Sequence, residues 1–343
     1  MRPATRACVT SRNPVWAGSA QPLPVAVLPR EEAIAFLRKR TGCEDRDAAD
    51  RLCHAVGDLP LALEQAGAYI ESTGITVAEY LSRFESHARE LLKAPPSTDY
   101  PASVATTWLI AFEQLKEEAP GALKLLNFLA FLAPDDIPRE LLPGDPMKLD
   151  QAVAGLRKYS LVEVRDGAFA VHRLVQAVTR DRLANRKARR KWAEAALRAV
   201  NGAFPYEEDV VETWAGSSRL LPHALVVAKH AADLDVAPEM TSRLLNEVGL
   251  YLLSRAQPSE AEGSLQRSLV LAEKVYGPEH PEVAIRANNI GTILNAKGDL
   301  GGALRYTERA LRIFQTTYGP DNPQTRIVVA NLAPLNSLIQ AKK

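Results

Sequence analysis

The stretch KVYGPEHPEVA (residues 274–284) returns as TTYGPDNPQTR (316–326), which places Tyr276 and Tyr318 42 residues apart. The same offset relates five further pairs of identical residues. They are Gly249 and Gly291, Ala261 and Ala303, Leu269 and Leu311, Asn246 and Asn288, and Asn289 and Asn331. A spacing kept at so many positions predicts an internal repeat, which is the sequence signature of a solenoid.

Each repeat has the pattern of a helical hairpin. Gly291, Ala303 and Ala310 are small residues, spaced so that they fall where two antiparallel helices cross closely. Gly-Pro, His-Pro and Asn-Pro pairs lie between the units, and such pairs end one helix and start the next. We therefore predict about two units and the first helix of a third over roughly 240–340.

This pattern resembles the tetratricopeptide repeat, in the 42-residue form found in kinesin light chains, at Gly291, Ala303, Ala310 and the YGPxxP linkers. The resemblance implies an α-solenoid over 201–343 whose first helices line a groove for a protein or peptide partner. Polar residues of these helices are the candidate lining: Asn246, Arg286, Asn288, Asn289 and Asn331. Packing between helices explains some of these asparagines equally well.

Residues 101–200 have a second organisation. Apolar residues recur at helical spacing in 103–116, 122–133 and 149–160. The segment LVEVRDGAFAVH (161–172) then alternates on either side of Asp166-Gly167, the strongest short signal for a hairpin. Helices followed by a hairpin predict a winged-helix domain.

Residues 30–93 predict a bundle of four helices. Gly42 and Gly74 are placed to stop the first and third helices, and Pro60 suits the first turn of the third. A linker, APPSTDYP, follows at 94–101. The chain as a whole is therefore predicted to be mostly α, with a bundle, a winged helix and a solenoid.

The element GDLPLALEQAGAYI (57–70), with SRNPVW before it and ATTWLIAFEQL and VHRLVQAVTR after it, resembles the signalling NTPases of the NB-ARC or STAND type. The similarity is to the bacterial form that carries tetratricopeptide repeats, and it extends from about Thr10 to the C-terminus. The family order is a phosphate-binding core, a helical bundle, a winged helix and repeats. The resemblance thus implies that 1–29 is a remnant of the core and 30–93 an ARC-like bundle.

The resemblance also implies three nucleotide contacts. Arg12 would reach the γ-phosphate, Pro60 would pack on adenine, and His172 would touch the β-phosphate of ADP. The sequence departs from the family because it has no G-x-x-x-x-G-K-[ST] loop to cradle phosphates. ADP or ATP is therefore expected only if that core is supplied. Simpler interpretations are a surface arginine, a helix-starting proline, and a histidine that caps the next helix.

Composition excludes several classes of function. A net charge of +1 gives no global attraction to nucleic acid or anionic membranes. Cys8, Cys43 and Cys53 form no CxxC pair, which favours a reducing compartment and argues against a metal site. No apolar run reaches the roughly 18 residues of a membrane span. Neither GxSxG nor HExxH occurs. We expect a cytoplasmic protein that binds neither a membrane nor a metal ion and has no enzymatic activity.

The basic run RDRLANRKARRKW (180–192) allows a DNA hypothesis. The spacing of Ala184, Ala188, Trp192 and Ala195 predicts one buried stripe, with the basic residues in solvent around it. DNA binding through this run would be abolished by charge reversal at Arg186, Arg189 and Arg190.

Three hypotheses about function follow. The favoured one is a non-enzymatic signalling or scaffold protein, the regulatory arm of a STAND NTPase, which binds protein partners through its repeats. The second is a piece of an ATP/ADP-switched NTPase with residual ADP binding. The third is a winged-helix regulator that binds DNA.

Overall fold

The computed structural model describes residues 27–91, 104–159, 161–183, 185–207 and 210–341. These ranges contain fifteen α-helices and one two-stranded hairpin, so the predicted mostly-α fold is confirmed. The chain divides into two compact units, 1–188 and 189–343. The proposed core remnant at 1–29 lies almost wholly outside the described residues.

The first unit begins with four helices: α1 (Arg30–Thr41), α2 (Arg46–Val56), α3 (Pro60–Thr73) and α4 (Val77–Leu91). Glycines in the left-handed conformation end the first three, at Gly42 (φ 69°), Gly57 (φ 66°) and Gly74 (φ 69°). Asp45 caps α2 by accepting from the Ala48 N–H at 2.9 Å. The four helices and the predicted stops at Gly42 and Gly74 are confirmed.

The rest of this unit is a helical segment with a small hairpin: α5 (Val104–Glu118), α6 (Pro120–Leu129), α7 (Pro146–Lys158), β1 (Glu163–Arg165), β2 (Ala168–Ala170) and α8 (Arg173–Arg182). The turn residues Asp166 (φ 50°) and Gly167 (φ 79°) both have positive φ, as a tight hairpin turn needs. Ile137 pairs with Phe169 through two main-chain hydrogen bonds. The predicted helices and hairpin are present, and a winged helix stays a prediction.

Side chains of α8 hold the end of α6. The Gln176 Nε2 amide donates to the carbonyls of Leu129 and Leu132, at 2.8 and 3.0 Å. Arg180 donates to the carbonyl of Ala130. These carbonyls belong to the last turn of α6 and its exit, where the helix itself offers no donors. The contacts fix α8, and therefore its first residues, against the core of this unit.

The second unit is entirely helical over the residues described: α9 (Arg186–Ala203), α10 (Trp214–Leu234), α11 (Pro238–Ser254), α12 (Pro258–Tyr276), α13 (Pro281–Ala296), α14 (Leu300–Tyr318) and α15 (Pro323–Ala341). Helix α9 starts just before the division between the units. Helices α11 to α14 form two hairpins and α15 is a further first helix. The predicted two repeats and one first helix are thus confirmed.

Linker residues of the repeats serve as helix caps. The His280 Nδ1 atom accepts from the Glu282 N–H at 3.1 Å, and the Asn322 Oδ1 atom accepts from the Gln324 N–H at 2.9 Å. Both residues stand one position before the proline that starts a first helix. His280 therefore has the turn role that its replacement by asparagine in the next unit indicates.

The two helices of each repeat cross closely at a glycine. A Cβ atom added to Gly249 would lie 2.6 Å from Leu265 Cγ, and one added to Gly291 would lie 2.4 Å from Thr307 Oγ1. Ala303 and Ala310, on the facing helix, are fully buried. The predicted close crossing is confirmed, and the equivalent glycines have the same function in both units.

Candidate functional site

Two pairs of asparagines connect the first helices of successive repeats. Asn289 Nδ2 donates to Asn246 Oδ1 at 2.9 Å, which joins α13 to α11. Asn331 Nδ2 donates to Asn288 Oδ1 at 3.1 Å, which joins α15 to α13. We call these four residues the amide ladder. Four of the five residues predicted to line the groove are therefore brought together as bonded pairs.

The ladder depends on two adjacent positions in each first helix, one that accepts and one that donates. Helix α13 has asparagine at both positions, Asn288 and Asn289. In α11 the donor position is Glu247, which pairs instead with Arg243 of its own helix at 2.9 Å. In α15 the acceptor position is Ala330. The ladder consequently begins at α11 and ends at α15.

The ladder amides keep hydrogen-bonding capacity for a partner. A carboxamide has two N–H donors and an oxygen that accepts two bonds, and each pair uses one of each. Asn246 is 9% exposed, and Asn288, Asn289 and Asn331 are half-buried. The three half-buried amides can therefore bond a main chain from solvent, in addition to holding the helices together.

Arg286, the fifth predicted groove residue, does not lie on the solvent surface. Its side chain is only 7% exposed and pairs with Glu282 one turn earlier, while its Nε atom is buried without a hydrogen-bond partner within the described residues. Leu244 and Val328 occupy the equivalent positions in the neighbouring repeats, and both are buried. Arg286 thus stands in a core position, which contradicts its expected placement on the groove.

The sequence did not indicate a contact at the end of α12. Tyr276 stacks on His280 with ring centroids 4.6 Å apart, and burial together with a hydrogen bond to Glu239 raises the pKa of its phenol to about 12. The equivalent Tyr318 is 49% exposed. The repeat pattern makes the two tyrosines look alike, but the residues around them differ: the ring of His280 is replaced by Asn322 beside Tyr318.

A second candidate site lies where α2 ends and α8 begins; we call it the α2–α8 junction. His172 Nδ1 accepts from the Leu174 N–H at 3.3 Å, and its Nε2 lies 3.3 Å from the Gly57 carbonyl oxygen. An imidazole that accepts at Nδ1 and donates at Nε2 is the neutral form. Arg173 Nη1 donates to the His54 carbonyl at 2.8 Å. Two residues at the start of α8 therefore bind carbonyls at the end of α2.

Burial at the junction favours the neutral form of His172. Burial lowers the pKa of its imidazole below the ordinary value, and the adjacent Arg173 lowers it further, against the opposing effect of the Gly57 carbonyl. Burial likewise lowers the pKa of His54. Arg30 pairs with Asp58 at 2.7 Å, so the entry to α1 is bound to the same turn.

Two of the three residues predicted to contact a nucleotide lie within the described residues. Arg12 lies outside the described residues. Pro60 is the exposed first residue of α3, and His172 is the N-cap of α8. The helix-starting and helix-capping roles considered for the last two are thus present, and contact with a nucleotide stays a prediction.

The basic run includes the end of α8 and the start of α9, and the buried stripe predicted for it is wrong. Ala188, Trp192 and Ala195 are only half-buried, and Ala184 lies outside the described residues. The buried positions are Ala193, Ala196, Leu197 and Val200. Arg190 donates to the Leu234 carbonyl at 2.5 Å, at the C-terminal end of α10 where a cation is favoured. This contact fixes the orientation of α9 and accounts for one of the three arginines in the DNA hypothesis.

The described ranges contain neither a metal-binding cluster nor a membrane-spanning helix. No group of three or more His, Cys, Asp or Glu side chains there is arranged to hold a metal ion. No helix in the same ranges combines the length and apolarity that crossing a bilayer requires.

Comparison with family models identifies two segments. Residues 240–316 match the tetratricopeptide repeat, and residues 110–188 match a domain of unknown function, DUF7779. The first match covers both helical hairpins of the repeats. The second covers α6 to α8 with the hairpin, and it assigns no activity.

One curated relative resembles much of the chain. It is a nucleotide-binding leucine-rich repeat (NLR)-like protein from Hyaloscypha variabilis, 31% identical over 251 residues. The alignment covers 69% of this chain and 25% of the relative, so the chain spans about a quarter of that protein's length.

Two solved structures resemble the chain more distantly. BtubC (BKLC) from P. vanneervenii is 16% identical, with a TM-score of 0.36, over 66% of this chain and 84% of its own. The second is a Signal Transduction ATPase with Numerous Domains (STAND) protein with a tetratricopeptide repeat sensor, from Pyrococcus horikoshii. It is 15% identical, with a TM-score of 0.21, and the match covers 92% of this chain and 58% of that protein. Neither superposition is close enough to support an argument. The tetratricopeptide repeats predicted from the sequence are thus confirmed over 240–316, and the chain is similar over most of its length to an NLR-like protein.

Proposed function

We propose that this protein is a non-enzymatic regulatory protein of the STAND type that binds a polypeptide partner through the first helices of its repeats. The observation that carries the proposal is the amide ladder, which joins three successive first helices and places the half-buried side chains of Asn288, Asn289 and Asn331 on two of them, α13 and α15. Each retains donors or acceptors that match the hydrogen-bonding groups of a peptide main chain.

The match of 240–316 to tetratricopeptide repeats supports this function, because successive first helices of such repeats form one continuous binding surface. The similarity to an NLR-like protein supports a regulatory role. We further propose that the α2–α8 junction connects the bundle to the hairpin segment in a defined arrangement. Its contacts join residues more than a hundred positions apart through side chains of α8.

Site-specific photo-crosslinking tests partner binding. A photoreactive amino acid at Thr292, which is exposed on α13 one turn after Asn288, is expected to crosslink a partner in extracts of the source cells. The matched control carries the same amino acid at Val270, which is 63% exposed on the second helix α12. A partner crosslinked equally from both positions, or from Val270 alone, would contradict docking on the first helices.

Residual binding of ADP is the second hypothesis. Calorimetric titration of the purified chain with ADP, with and without Mg²⁺, tests it directly. Micromolar binding that is lost in a His172→Ala variant would support a nucleotide role for the junction. Absence of heat at millimolar ADP would argue against a nucleotide role for His172 and leave its contacts with Leu174 and Gly57 as structural ones.

A further inference from the structure

The first helices of the repeats contain long stretches without charge. No residue that is charged at neutral pH occurs in 248–254 of α11, 287–296 of α13 or 327–341 of α15. These stretches include the whole amide ladder except Asn246. They form the largest part of the surface on which we place the partner.

Charged residues are instead concentrated on the second helices and the turns, where they pair with one another. Lys297 bonds Glu262 at 2.5 Å, and Lys274 bonds Asp235 at 2.7 Å. Arg309 of α14 bonds Glu273 of α12 at 2.6 Å. The ion pairs that connect neighbouring helices of the solenoid thus involve no residue of the uncharged stretches.

The solvent-facing residues of α13 and α15 mix aliphatic, amide and hydroxyl side chains, whereas α11 also presents the exposed Arg243. Residues at helical spacing share this face with the ladder. They are Leu250 and Leu253 on α11, Ile285, Thr292 and Asn295 on α13, and Ile327, Pro334 and Ser337 on α15. Ile327 is 50% exposed, and Leu250, Leu253 and Ile285 are half-buried. We call this set, together with the ladder, the first-helix face.

The charged residues at equivalent positions of the face are paired within their own helix: Arg243 corresponds to Ile285 and Ile327, and Glu247 corresponds to Asn289. Arg243 bonds Glu247 one turn later on α11. Arg286 bonds Glu282 one turn earlier on α13, and its side chain is buried. An incoming carboxylate or ammonium group would have to displace one of these local partners.

We propose that the first-helix face binds an extended polypeptide segment that has no charged side chains and is rich in aliphatic residues. This inference rests on the proposed function. The main chain of the segment bonds the free amide groups of Asn288, Asn289 and Asn331, and its aliphatic side chains cover Leu250, Ile285 and Ile327. A charged side chain placed here loses hydration without gaining a partner, which the face therefore disfavours.

The test is selection of peptides from a phage-displayed random library on the full chain, followed by affinity measurement on synthetic copies of the selected peptides. The expected sequences are enriched in aliphatic residues and depleted of Asp, Glu, Lys and Arg relative to the library. Their Kd is expected to change less than about twofold between about 50 and about 500 mM salt, because no ion pair is formed to be screened. Enrichment of charged peptides, or a tenfold salt effect, would overturn the inference but not the proposed function.

Two variants identify the surface. Thr292→Glu puts a charge in the middle of the face and is expected to weaken the selected peptides at least about tenfold, or about 1.4 kcal/mol. Val270→Glu, on the second helix, is the matched control and is expected to leave the Kd unchanged. Peptides that bind Thr292→Glu as tightly as the native chain would place docking elsewhere and overturn the proposed function as well, as would a library from which nothing is selected. Circular dichroism verifies that both variants are folded.

Discussion

Gly57 shows how one backbone conformation makes possible a contact between residues 115 positions apart. Its positive φ ends α2, and its lack of a side chain lets the His172 ring approach: an added Cβ atom would lie 2.6 Å from both Cε1 and Nε2. Glycine is therefore needed at this position for two reasons: it can adopt a positive φ, and it leaves space for the His172 ring. From the sequence, helix stops are predicted at Gly42 and Gly74 but not at Gly57, and the requirement for space depends on the tertiary fold.

Comparison of two glycine variants separates these requirements. Gly42 has nearly the same φ as Gly57 but no neighbour within 4 Å of an added Cβ atom. We expect Gly42→Ala to lower the free energy of unfolding by about 1 kcal/mol, from backbone strain alone. Gly57→Ala also displaces His172, and we expect a loss of about 3 kcal/mol. Urea denaturation measures both, and equal losses would show that the junction contact contributes nothing.

The neutral state of His172 predicts a pH dependence of stability. Its pKa in the folded protein is lowered from 6.5, so the unfolded chain takes up the proton first as the pH falls. Stability due to this group is complete above about pH 7 and is lost progressively below about pH 6.5. His172→Asn keeps a capping oxygen and does not titrate. We expect its stability to fall less between about pH 7 and about pH 5; an unchanged slope would assign the pH dependence to other groups, such as His54.

At the scale of the element, the helix crossings and the amide ladder perform different tasks. The crossings hold the two helices of one repeat together, through Gly249 and Gly291. The ladder joins first helices of different repeats. The 42-residue offset predicts both sets of residues, because both recur. It does not predict that the asparagines bond each other, since the bonded partners are offset by 43 residues rather than 42.

Two helical glycines test the crossing. Gly291→Ala brings a methyl group against Thr307 Oγ1 and the Ala303 carbonyl, and we expect it to destabilise the protein by about 2 kcal/mol. Gly263 lies in the interior of α12 with no neighbour within 4 Å. There, alanine is expected to raise stability by about 0.5–1 kcal/mol through helix propensity. Thermal or urea denaturation shows whether the two substitutions have opposite signs, as the structure requires.

A double-mutant cycle tests the ladder. Asn246→Ala and Asn289→Ala each remove one partner of the same hydrogen bond, so their effects on unfolding free energy are expected to be non-additive by about 0.5–1.5 kcal/mol. Asn295 is exposed on α13, about 9 Å further along the helix axis. The cycle of Asn246→Ala with Asn295→Ala is the control and should be additive within about 0.5 kcal/mol. Additivity in both cycles would show that the hydrogen bond between Asn246 and Asn289 does not contribute measurably to the unfolding free energy.

At the scale of the whole molecule, local sequence signals were sufficient to predict the helices and the hairpin. They were not sufficient to predict which side chains of those helices are buried. Positive-φ glycines, helix-starting prolines and the Asp166-Gly167 turn identify the helices and the hairpin, because each signal acts within a few residues. Arg286 was expected to line the groove because polar residues on repeat helices usually face solvent. Its side chain is buried because the packing of the neighbouring helices, which the sequence pattern does not show, determines its surroundings. The stripe on α9 failed for a related reason, since Arg190 orients the helix through a carbonyl of α10.

Ala330 has a consequence for how such a solenoid changes its length. Because α13 has both the accepting and the donating asparagine, a duplicated copy of its repeat placed beside the original would continue the series of amide bonds on either side. A first helix added beyond α15 would meet the methyl group of Ala330 and receive no such bond. An additional first helix at that end would therefore have to be held by packing contacts other than an amide bond.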